Sequence, residues 1–291
     1  MSDDGTREIL KEFALKYSKI RIIENSKKIT PAALNLGIQN ASGELIMIAS
    51  AHSSFPDDYI PVLVEKMFEL NADAVGGIML TKVRNSSLKS MAIAKVLSTK
   101  LGVGNSMFRI GVMKPEMVDT VPFGIYKREV FDDAGLYNET LIRNHDIELS
   151  KRIIKANKKI YLIPDVSCNY FARDTFKGLA LNNYRNGYWN MLTVYLTKMF
   201  SSLSLRHFIP MIFIISLVGP LFLLWISMYF LIVPVAVFSL YNLVISYECI
   251  RLNDDSTRFY LLFFAFYSLH FSYGLGSLIG TFRLDKLLLK K

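Results

Sequence analysis

The sequence contains little cysteine. Its two cysteines among 291 residues, Cys168 and Cys249, lie far apart. This excludes a disulfide framework and a paired-cysteine metal site, and it is typical of a reducing compartment. The formal net charge is +9, yet Lys and Arg do not cluster with interleaved aromatic residues, the pattern of a nucleic-acid interface. We therefore expect no nucleic-acid partner and attribute the positive charge to attraction toward anionic membrane lipids.

Charged residues are absent from long stretches of the last third. No Asp, Glu, Lys or Arg occurs in Phe208–Tyr247 or in Phe259–Gly280. A membrane span needs about 20 apolar residues. We expect a membrane domain at residues 201–291, with hydrophobic segments at about 208–229, 232–250 and 259–280. Two topologies remain open. Three full spans put the basic tail outside, against the positive-inside tendency, whereas two spans and one in-plane or re-entrant segment keep it inside.

Residues 1–200 alternate helical and strand-like patterns, which predicts an α/β domain with a βαβ-type sheet. Strands are expected at Arg21–Ile23, Glu44–Ala49, Ala74–Met79 and Ile160–Ile163. Helices are expected at about residues 1–18, 30–41, 56–70, 89–101, 127–134 and 146–156, and Met191–Phe200 has the pattern of an interfacial helix.

The polar loop Ser50–Ser53 follows the apolar strand Glu44–Ala49 directly. In open α/β sheets, ligands bind at the carboxyl ends of the strands. A nucleotide diphosphate there needs its charge neutralised, usually by a divalent metal on carboxylates, and His52 could serve as a ligand. Ser50 is neutral and cannot replace a carboxylate. The alternative is a hydrogen-bonding loop that precedes the helix at Pro56.

Two further segments carry candidate chemistry. Asp146 and Glu148 lie two apart on a predicted helix, so they point to different faces and one of them can face a cleft. Asp146 can equally be an acid that stabilises the helix N-terminus. In the stretch Asn183–Trp189, Arg185 could bind a phosphate, whereas Trp189 could equally be a membrane-interface anchor.

At these residues the chain resembles family 2 glycosyltransferases, and most closely the membrane-anchored type that builds succinoglycan-like exopolysaccharides. The resemblance covers nearly the whole chain. The order and spacing of the matching motifs are together more specific than any single motif. The matching segments are Asp4–Leu10, Lys28–Ile38, Ser50–Ser53, Gly102–Ser106, Val121–Gly124, His145–Leu149 and a loose counterpart of a Q-x-x-R-W element at Arg185–Trp189.

The resemblance implies a GT-A-type nucleotide-diphospho-sugar transferase domain that lacks its first strand, followed by transmembrane helices. It implies an inverting transfer from a nucleotide sugar to a lipid-linked or polysaccharide acceptor, with Mg²⁺ or Mn²⁺ as the cofactor. Asp146 would be the general base. The donor and its diphosphate would contact Asp4, Ser50, His52 and Arg185, with His52 at the metal where Ser50 replaces the family's Asp. The acceptor side would comprise Val121, Pro122, Phe123, Gly124 and Trp189.

The same resemblance implies a multi-pass plasma-membrane protein with a cytoplasmic catalytic domain. Exopolysaccharide or cell-surface glycan synthesis would be its role, with polysaccharide-assembly proteins as further partners. The serine at position 50 also favours an alternative, a catalytically impaired or non-catalytic membrane partner of an active glycosyltransferase. A polytopic transporter fits less well, because about two thirds of the chain has the composition of a soluble domain.

Overall fold

The structure, a computed structural model, describes residues 5–51, 53–198, 200 and 203–282. The strands are β1 Leu45–Met47, β2 Ser53–Ser54, β3 Ala74–Lys82, β4 Glu116–Met117, β5 Ile125–Lys127 and β6 Ile160–Phe171. The first helices are α1 Thr6–Lys16, α2 Thr30–Asn40, α3 Tyr59–Glu69, α4 Leu88–Val96, α5 Lys100–Val103, α6 Met107–Ile110, α7 Glu129–Ala134 and α8 His145–Lys155. The later helices are α9 Phe176–Thr197, α10 Ile209–Val218, α11 Ile232–Leu252 and α12 Phe259–Phe282, with 3-10 turns at Leu205–His207, Gly219–Leu223 and Met228–Leu231.

The described strands form one mixed sheet in the order β1-β5-β3-β6-β2, with β4 also paired to β6. The long central strands β3 and β6 are parallel. The short β5 is antiparallel to both β1 and β3, so β1 runs in the same direction as β3. The carboxyl ends of β1, β3 and β6 therefore lie at one edge of the sheet.

Helices cover both faces of this sheet, which explains why its central strands are apolar on both sides. Side chains alternate along β3, so Ala74 belongs to one buried cluster and Val75 to the other. The first cluster includes side chains from α2, α7 and α8. The second includes Tyr59, Leu63 and Met67 of α3, all fully buried. The sheet is therefore a rigid support for the loops at its carboxyl edge.

A third buried cluster joins this domain to the C-terminal helices, because it combines side chains of α4, α9, α11 and α12. Glycines let α9 and α12 approach closely. A Cβ atom on Gly187 would overlap the Tyr273 carbonyl oxygen, and one on Gly276 would overlap the Tyr184 carbonyl oxygen. The predicted domain boundary at residue 200 thus follows a helix that is itself packed against α12.

Three helical segments are long and apolar enough to cross a membrane: Leu205–Leu223, Met228–Leu252 and Phe259–Phe282. They confirm the three hydrophobic segments expected from the sequence. Two local predictions were wrong. Arg21–Ile23 is not a strand, since no described strand pairs with it and Ile22 and Ile23 are 48% and 41% exposed. Residues 191–197 continue α9 and are not a separate interfacial helix.

Candidate active site

A cavity of about 700 Å³ lies at the carboxyl edge of the sheet, beside the end of β6. Its walls come from the first turn of α8, from α9, and from the apolar helices α10 and α12. The charged residues that line it are Lys100, Arg109, Arg143, Asp146, Arg173 and Arg206. Among the described residues of the wall, Asp146 is the only acid. The cavity is thus strongly cationic around one carboxylate.

Asp146 lies in the first turn of α8, and the residues before it fix its position. Asn144 caps this helix with a left-handed backbone (φ 61°), a conformation that asparagine tolerates better than most residues. Its side-chain amide donates hydrogen bonds to Asn190 Oδ1 at 2.8 Å and to Thr193 Oγ1 at 3.3 Å. Asn190 in turn donates to the Tyr273 hydroxyl of α12. Helix α9 thereby connects the Asp146 turn to the apolar helices.

Glu148, two residues further on, is in a different environment. It is buried, and it accepts two hydrogen bonds of 2.8 Å from the Arg152 guanidinium, at Oε1 and Oε2. Arg152 also donates to the backbone carbonyls of Ala134 and Leu136. Glu148 therefore holds a structural ion pair, whereas Asp146 is exposed in the cavity.

Two buried tyrosines lie close enough to Asp146 for its charge to affect their pKa. Burial raises the pKa of Tyr126 above its ordinary value, and the nearby Asp146 carboxylate raises it further. Burial likewise raises the pKa of Tyr137, with contributions from Tyr126 and Asp146. Both phenols stay protonated at neutral pH. These two buried phenols therefore add no charge near Asp146.

The neighbouring arginines interact mostly with neutral groups. Arg143 Nη1 donates to Asn186 Oδ1 at 2.5 Å and to Asn182 Oδ1 at 3.2 Å. Burial lowers the pKa of Arg143, as do the positive charges of Arg185 and Arg173. The amide oxygens orient this guanidinium without neutralising it.

Arg109 extends the cationic wall toward the sheet. Its Nη1 donates to Thr81 Oγ1 of β3 at 3.2 Å, and its guanidinium lies 5.1 Å from the Tyr170 ring centroid. Burial lowers the pKa of Arg109. Tyr170 pairs with Ser53 in the sheet. Arg109 is thus adjacent to the strand that follows the 50–53 loop.

The predicted donor loop lies at the expected edge of the sheet. The Ser50 carbonyl accepts hydrogen bonds from the Ser53 amide at 3.1 Å and the Ser53 hydroxyl at 2.6 Å. This tight turn connects β1 to β2, which pairs with the end of β6. The candidates Asp4 and His52 lie outside the described residues.

The other predicted residues do not line the cavity. Arg185 is exposed on α9, and Trp189 is half-buried on the same helix. Val121 and Gly124 are buried against the sheet, where a Cβ atom on Gly76 would lie 2.6 Å from Val121 Cβ. Of the residues between them, Phe123 stacks edge-on against Phe55, with ring centroids 5.8 Å apart. Their assignment to the acceptor side therefore remains a prediction, as does the donor role of Arg185.

The described residues do not by themselves fit a divalent metal. They include no group of three or more His, Cys, Asp or Glu side chains placed to hold an ion. Ser50 offers at most a neutral oxygen at the position where the resemblance expects a carboxylate. We therefore derive no reaction step through a metal.

Sequence reasoning missed most of the cationic wall, because its members are scattered between residues 100 and 206. The sequence did contain one pattern that indicates part of this site. Asn182, Asn186 and Asn190 recur at intervals of four, which places three amides on one face of a helix. That stripe is the face that contacts Arg143 and Asn144.

Comparison with known proteins identifies the domain. The family described as glycosyl transferase family 2 matches residues 1–135. The succinoglycan biosynthesis protein ExoA of Rhizobium meliloti (strain 1021) is 32% identical over 174 residues, which are 59% of this chain and 52% of that protein.

An archaeal relative is also similar. It is the dolichyl N-acetyl-alpha-D-glucosaminyl phosphate 3-beta-D-2,3-diacetamido-2,3-dideoxy-beta-D-glucuronosyltransferase of Methanococcus voltae. It is 29% identical over 216 residues, which are 67% of this chain and 65% of that protein. The chain thus spans between half and two thirds of the length of these curated relatives.

A solved structure extends the similarity to the fold. The mannosyltransferase PcManGT from Pyrobaculum calidifontis, in complex with GDP-Man and Mn²⁺, aligns with a TM-score of 0.56 at 15% identity. The alignment covers 100% of this chain and 76% of that one. Residues 1–135 therefore match a glycosyltransferase family 2 domain, the fold is GT-A-like, and three helices that are apolar enough to cross a membrane follow.

Proposed function

We propose that this protein is an inverting glycosyltransferase that moves a sugar from a nucleotide-sugar donor to a lipid-linked or polysaccharide acceptor. One observation carries the proposal. Asp146 is the only acid among the described residues that line a cationic cavity at the carboxyl edge of the sheet. A carboxylate surrounded by cations matches a reaction that needs one base and releases an anionic diphosphate.

In the proposed reaction, Asp146 takes the proton of an acceptor hydroxyl while the hydroxyl oxygen attacks the anomeric carbon of the donor. The new glycosidic C–O bond forms as the bond from that carbon to the diphosphate oxygen breaks. The nucleoside diphosphate leaves with the electron pair. A single displacement of this kind inverts the anomeric configuration.

The donor would lie on the side of the cavity next to the 50–53 loop. Arg109, which contacts Thr81 of β3 and Tyr170 of β6, would balance the charge of its diphosphate. Asp4, Ser50, His52 and Arg185 complete the proposed donor site by resemblance. Mg²⁺ or Mn²⁺ with His52 as a ligand remains part of the proposal. It predicts that EDTA lowers sugar transfer and that added Mn²⁺ restores it.

The similarity to ExoA supports a role in exopolysaccharide or cell-surface glycan synthesis. The three apolar helices support a multi-pass protein of the plasma membrane, with the catalytic domain on the cytoplasmic side, where nucleotide sugars are made. Membrane lipids and polysaccharide-assembly proteins would then be its neighbours.

The test is sugar transfer in membranes that contain the full chain. Replacing Asp146 by Asn should lower the rate by about 10²- to 10⁴-fold, the usual contribution of a general base. Asp132→Asn, which alters an exposed acid of α7, is the matched control and should keep the wild-type rate. Unchanged transfer by Asp146→Asn would remove Asp146 from its proposed role.

The serine at position 50 favours a second candidate, a membrane partner that binds glycans without turnover. Its signature would be retained binding of the acceptor with no transfer by the wild-type chain from any donor in a panel of UDP- and GDP-sugars. Transfer from one such donor would reject this candidate.

A further inference from the structure

Asp146, the proposed base, has no hydrogen bond that orients its own side chain. Among the described residues its carboxylate forms neither a hydrogen bond nor an ion pair, whereas Glu148 accepts two hydrogen bonds from Arg152. A general base must point at the proton that it removes, and a displacement of about 1 Å can lower a rate by about 10²-fold. The direction of the Asp146 carboxylate therefore depends on the backbone turn that carries it.

That turn contains an unusual residue, Asn144. It is the N-cap of α8, and its φ of 61° is left-handed. An N-cap asparagine normally has an extended backbone and accepts a hydrogen bond from the first turn of its own helix. The Asn144 side chain makes no such bond. It donates to α9 instead, so this residue gives up a local cap for a contact with a distant helix.

The acceptors on α9 are enclosed by the protein. Asn190 is 1% exposed, and its Oδ1 atom accepts the 2.8 Å hydrogen bond from Asn144. Thr193 is fully buried and accepts the second bond. The Asn190 amide donates onward to the Tyr273 hydroxyl of α12. Leaving a buried amide without a partner is costly, so these bonds favour one position of Asn144.

The Asp146 turn lies between two anchored points. On its N-terminal side, Arg143 donates to Asn186 Oδ1 on the same face of α9. On its C-terminal side, Arg152 pairs with Glu148 and also donates to backbone carbonyls after α7. A helix that needed only stability would keep its local cap and an extended N-cap. A strained residue held by its surroundings, next to a candidate base, is typical of a functional turn.

We propose that Asn144 and Asn190 are positioning residues: the Asn190 side chain holds Asn144 in its left-handed conformation, and this turn directs the Asp146 carboxylate into the cavity. Tyr273 anchors the pair to α12, so the rate of transfer depends on where α12 lies relative to the catalytic domain. The inference rests on the proposed transferase function, because it states how the base of that reaction is held.

The first test is the kinetics of transfer in membranes that contain the full chain, with a UDP- or GDP-sugar that the wild type uses. Asn144→Gly permits the same backbone but removes the amide. It should lower kcat by about 10- to 100-fold and change the donor KM by less than about twofold. Asn157→Gly is the matched control, because Asn157 follows the same helix, is exposed and has a left-handed φ of 60°. Unchanged kcat in Asn144→Gly would overturn the proposal.

A double-mutant cycle separates this inference from the proposed function. Asn190→Leu should lower kcat about as much as Asn144→Gly, and Tyr273→Phe by about fivefold, the value of one hydrogen bond. If Asn190 acts through Asp146, Asn190→Leu should have little further effect in the Asp146→Asn background. An equal fractional loss in both backgrounds would overturn the inference and leave Asp146 as the base. Full transfer by Asp146→Asn alone would reject the proposed function, and the inference with it.

A labelling experiment tests the turn without any substrate. Cys168 and Cys249 are buried, so a thiol introduced by Asp146→Cys is the accessible one. Because the cavity wall is cationic, this thiol should react faster with an anionic sulfonatoethyl methanethiosulfonate than with its cationic trimethylammonium analogue. Adding Asn144→Gly or Asn190→Leu should reduce that ratio by at least about threefold, whereas Asn157→Gly should not.

Melting temperatures measured in parallel identify any variant that fails to fold. Asn190→Leu is the more disruptive change, since it removes a buried amide, so Asn144→Gly decides the outcome if Asn190→Leu unfolds. A labelling ratio that Asn144→Gly leaves unchanged would contradict the proposed turn.

Discussion

At the scale of single residues, two acids on the first turns of α8 have opposite tasks. Asp146 faces the cavity, and Glu148 is buried against Arg152. The same functional group, a carboxylate, is available for chemistry at one position and committed to structure at the other. The difference follows from a shift of two positions on a helix, about 200° around its axis.

These different roles predict that substitution of Glu148 affects stability, whereas substitution of Asp146 affects sugar transfer. Glu148→Ala should lower the free energy of unfolding by about 2–4 kcal/mol, because it leaves the Arg152 guanidinium without its carboxylate in a partly buried site. Asp146→Asn should leave the melting temperature nearly unchanged while it lowers transfer by about 10²- to 10⁴-fold. Thermal unfolding of the solubilised protein, measured beside transfer rates, checks both. A stable Glu148→Ala variant would show that its ion pair does not stabilise α8.

Position 50 offers a gain-of-function prediction at the same scale. Ser50→Asp supplies the carboxylate that the resemblance expects at the end of β1, and carboxylates are preferred ligands of Mg²⁺ and Mn²⁺. We expect Mn²⁺-dependent affinity for a nucleotide sugar to rise by about tenfold. The measurement is binding of labelled UDP- and GDP-sugars with and without Mn²⁺. Ser54→Asp, on the exposed neighbouring strand, is the control, and an equal gain there would reveal a non-specific charge effect.

At the scale of elements, the contact between α9 and α12 depends on glycine. The backbones approach so closely at Gly187 and Gly276 that a methyl group would overlap a carbonyl oxygen of the other helix. Sequence alone left the Gly276–Gly280 pair ambiguous, since such spacing often arises by chance. The structure gives it a partner, because a Cβ atom on Gly280 would lie 2.7 Å from the Tyr188 carbonyl oxygen.

Gly187→Ala should therefore destabilise the protein by about 1–3 kcal/mol through overpacking. It should also lower transfer, because α9 holds Asn144 and Arg143 beside the cavity. Gly37→Ala is the matched control, since Gly37 is also a helical glycine but has open space around it. Alanine there should be neutral or slightly stabilising. Similar melting temperatures for the two variants would mean that α9 and α12 do not pack this closely.

The junction between the catalytic domain and α10 predicts a pH effect. Burial opposes ionisation of Asp119, but the Ser204 hydroxyl and the charges of Arg206 and Lys151 outweigh it and hold its pKa below the usual value. A depressed pKa stabilises the fold above the unfolded-state pKa of about 4, and this contribution is lost as pH falls through the lower folded-state pKa.

Melting temperatures of wild type and Asp119→Asn, measured from pH 6 down to pH 3, test this. The difference between the two proteins should be constant near pH 6 and shrink below about pH 4. Other carboxylates titrate in both proteins and cancel in the difference. A difference that stays constant down to pH 3 would show that Asp119 has no depressed pKa.

At the scale of the whole molecule, α9 accompanies α12 along most of its length, from the Phe176–Phe264 ring contact to Tyr188 beside Gly280. Helix α9 exposes Lys177 and Arg185. If α12 crossed the bilayer fully, α9 would carry these cations into the hydrocarbon, which is costly. We therefore expect α12 to lie in the membrane interface, with α10 and α11 inserted as a hairpin whose tip exposes Trp225 and Tyr229.

If α12 lies in the interface, we expect the basic tail to be on the same side of the membrane as the catalytic domain. The test is labelling of single cysteines, introduced at Lys290 and Lys114 after Cys168 and Cys249 are replaced. A membrane-impermeant maleimide should label both positions in inside-out vesicles and neither in right-side-out vesicles. Labelling of the Lys290→Cys variant only in right-side-out vesicles would show that α12 spans the bilayer.

From local patterns alone, the sequence predicts the α/β class of fold, the resemblance to family 2 glycosyltransferases and the three apolar segments, because hydrophobic periodicity, turn residues and motif order are local properties. It also placed the Ser50–Ser53 loop at the carboxyl end of a strand. It mispredicted Arg21–Ile23, since a strand exists only when a neighbour supplies hydrogen bonds, and that information is not local.

The surroundings of Asp146 could not be predicted from the sequence. Lys100, Arg109, Arg143, Arg173 and Arg206 come from separate elements, and no spacing along the chain predicts that they share one cavity with α10 and α12. Electrostatic character and burial depend on distances in space. The sheet and the contact between α9 and α12 determine those distances. For that reason the sequence could propose a candidate base and a candidate donor loop, while the cationic wall beside α10 and α12 became visible only in the folded protein.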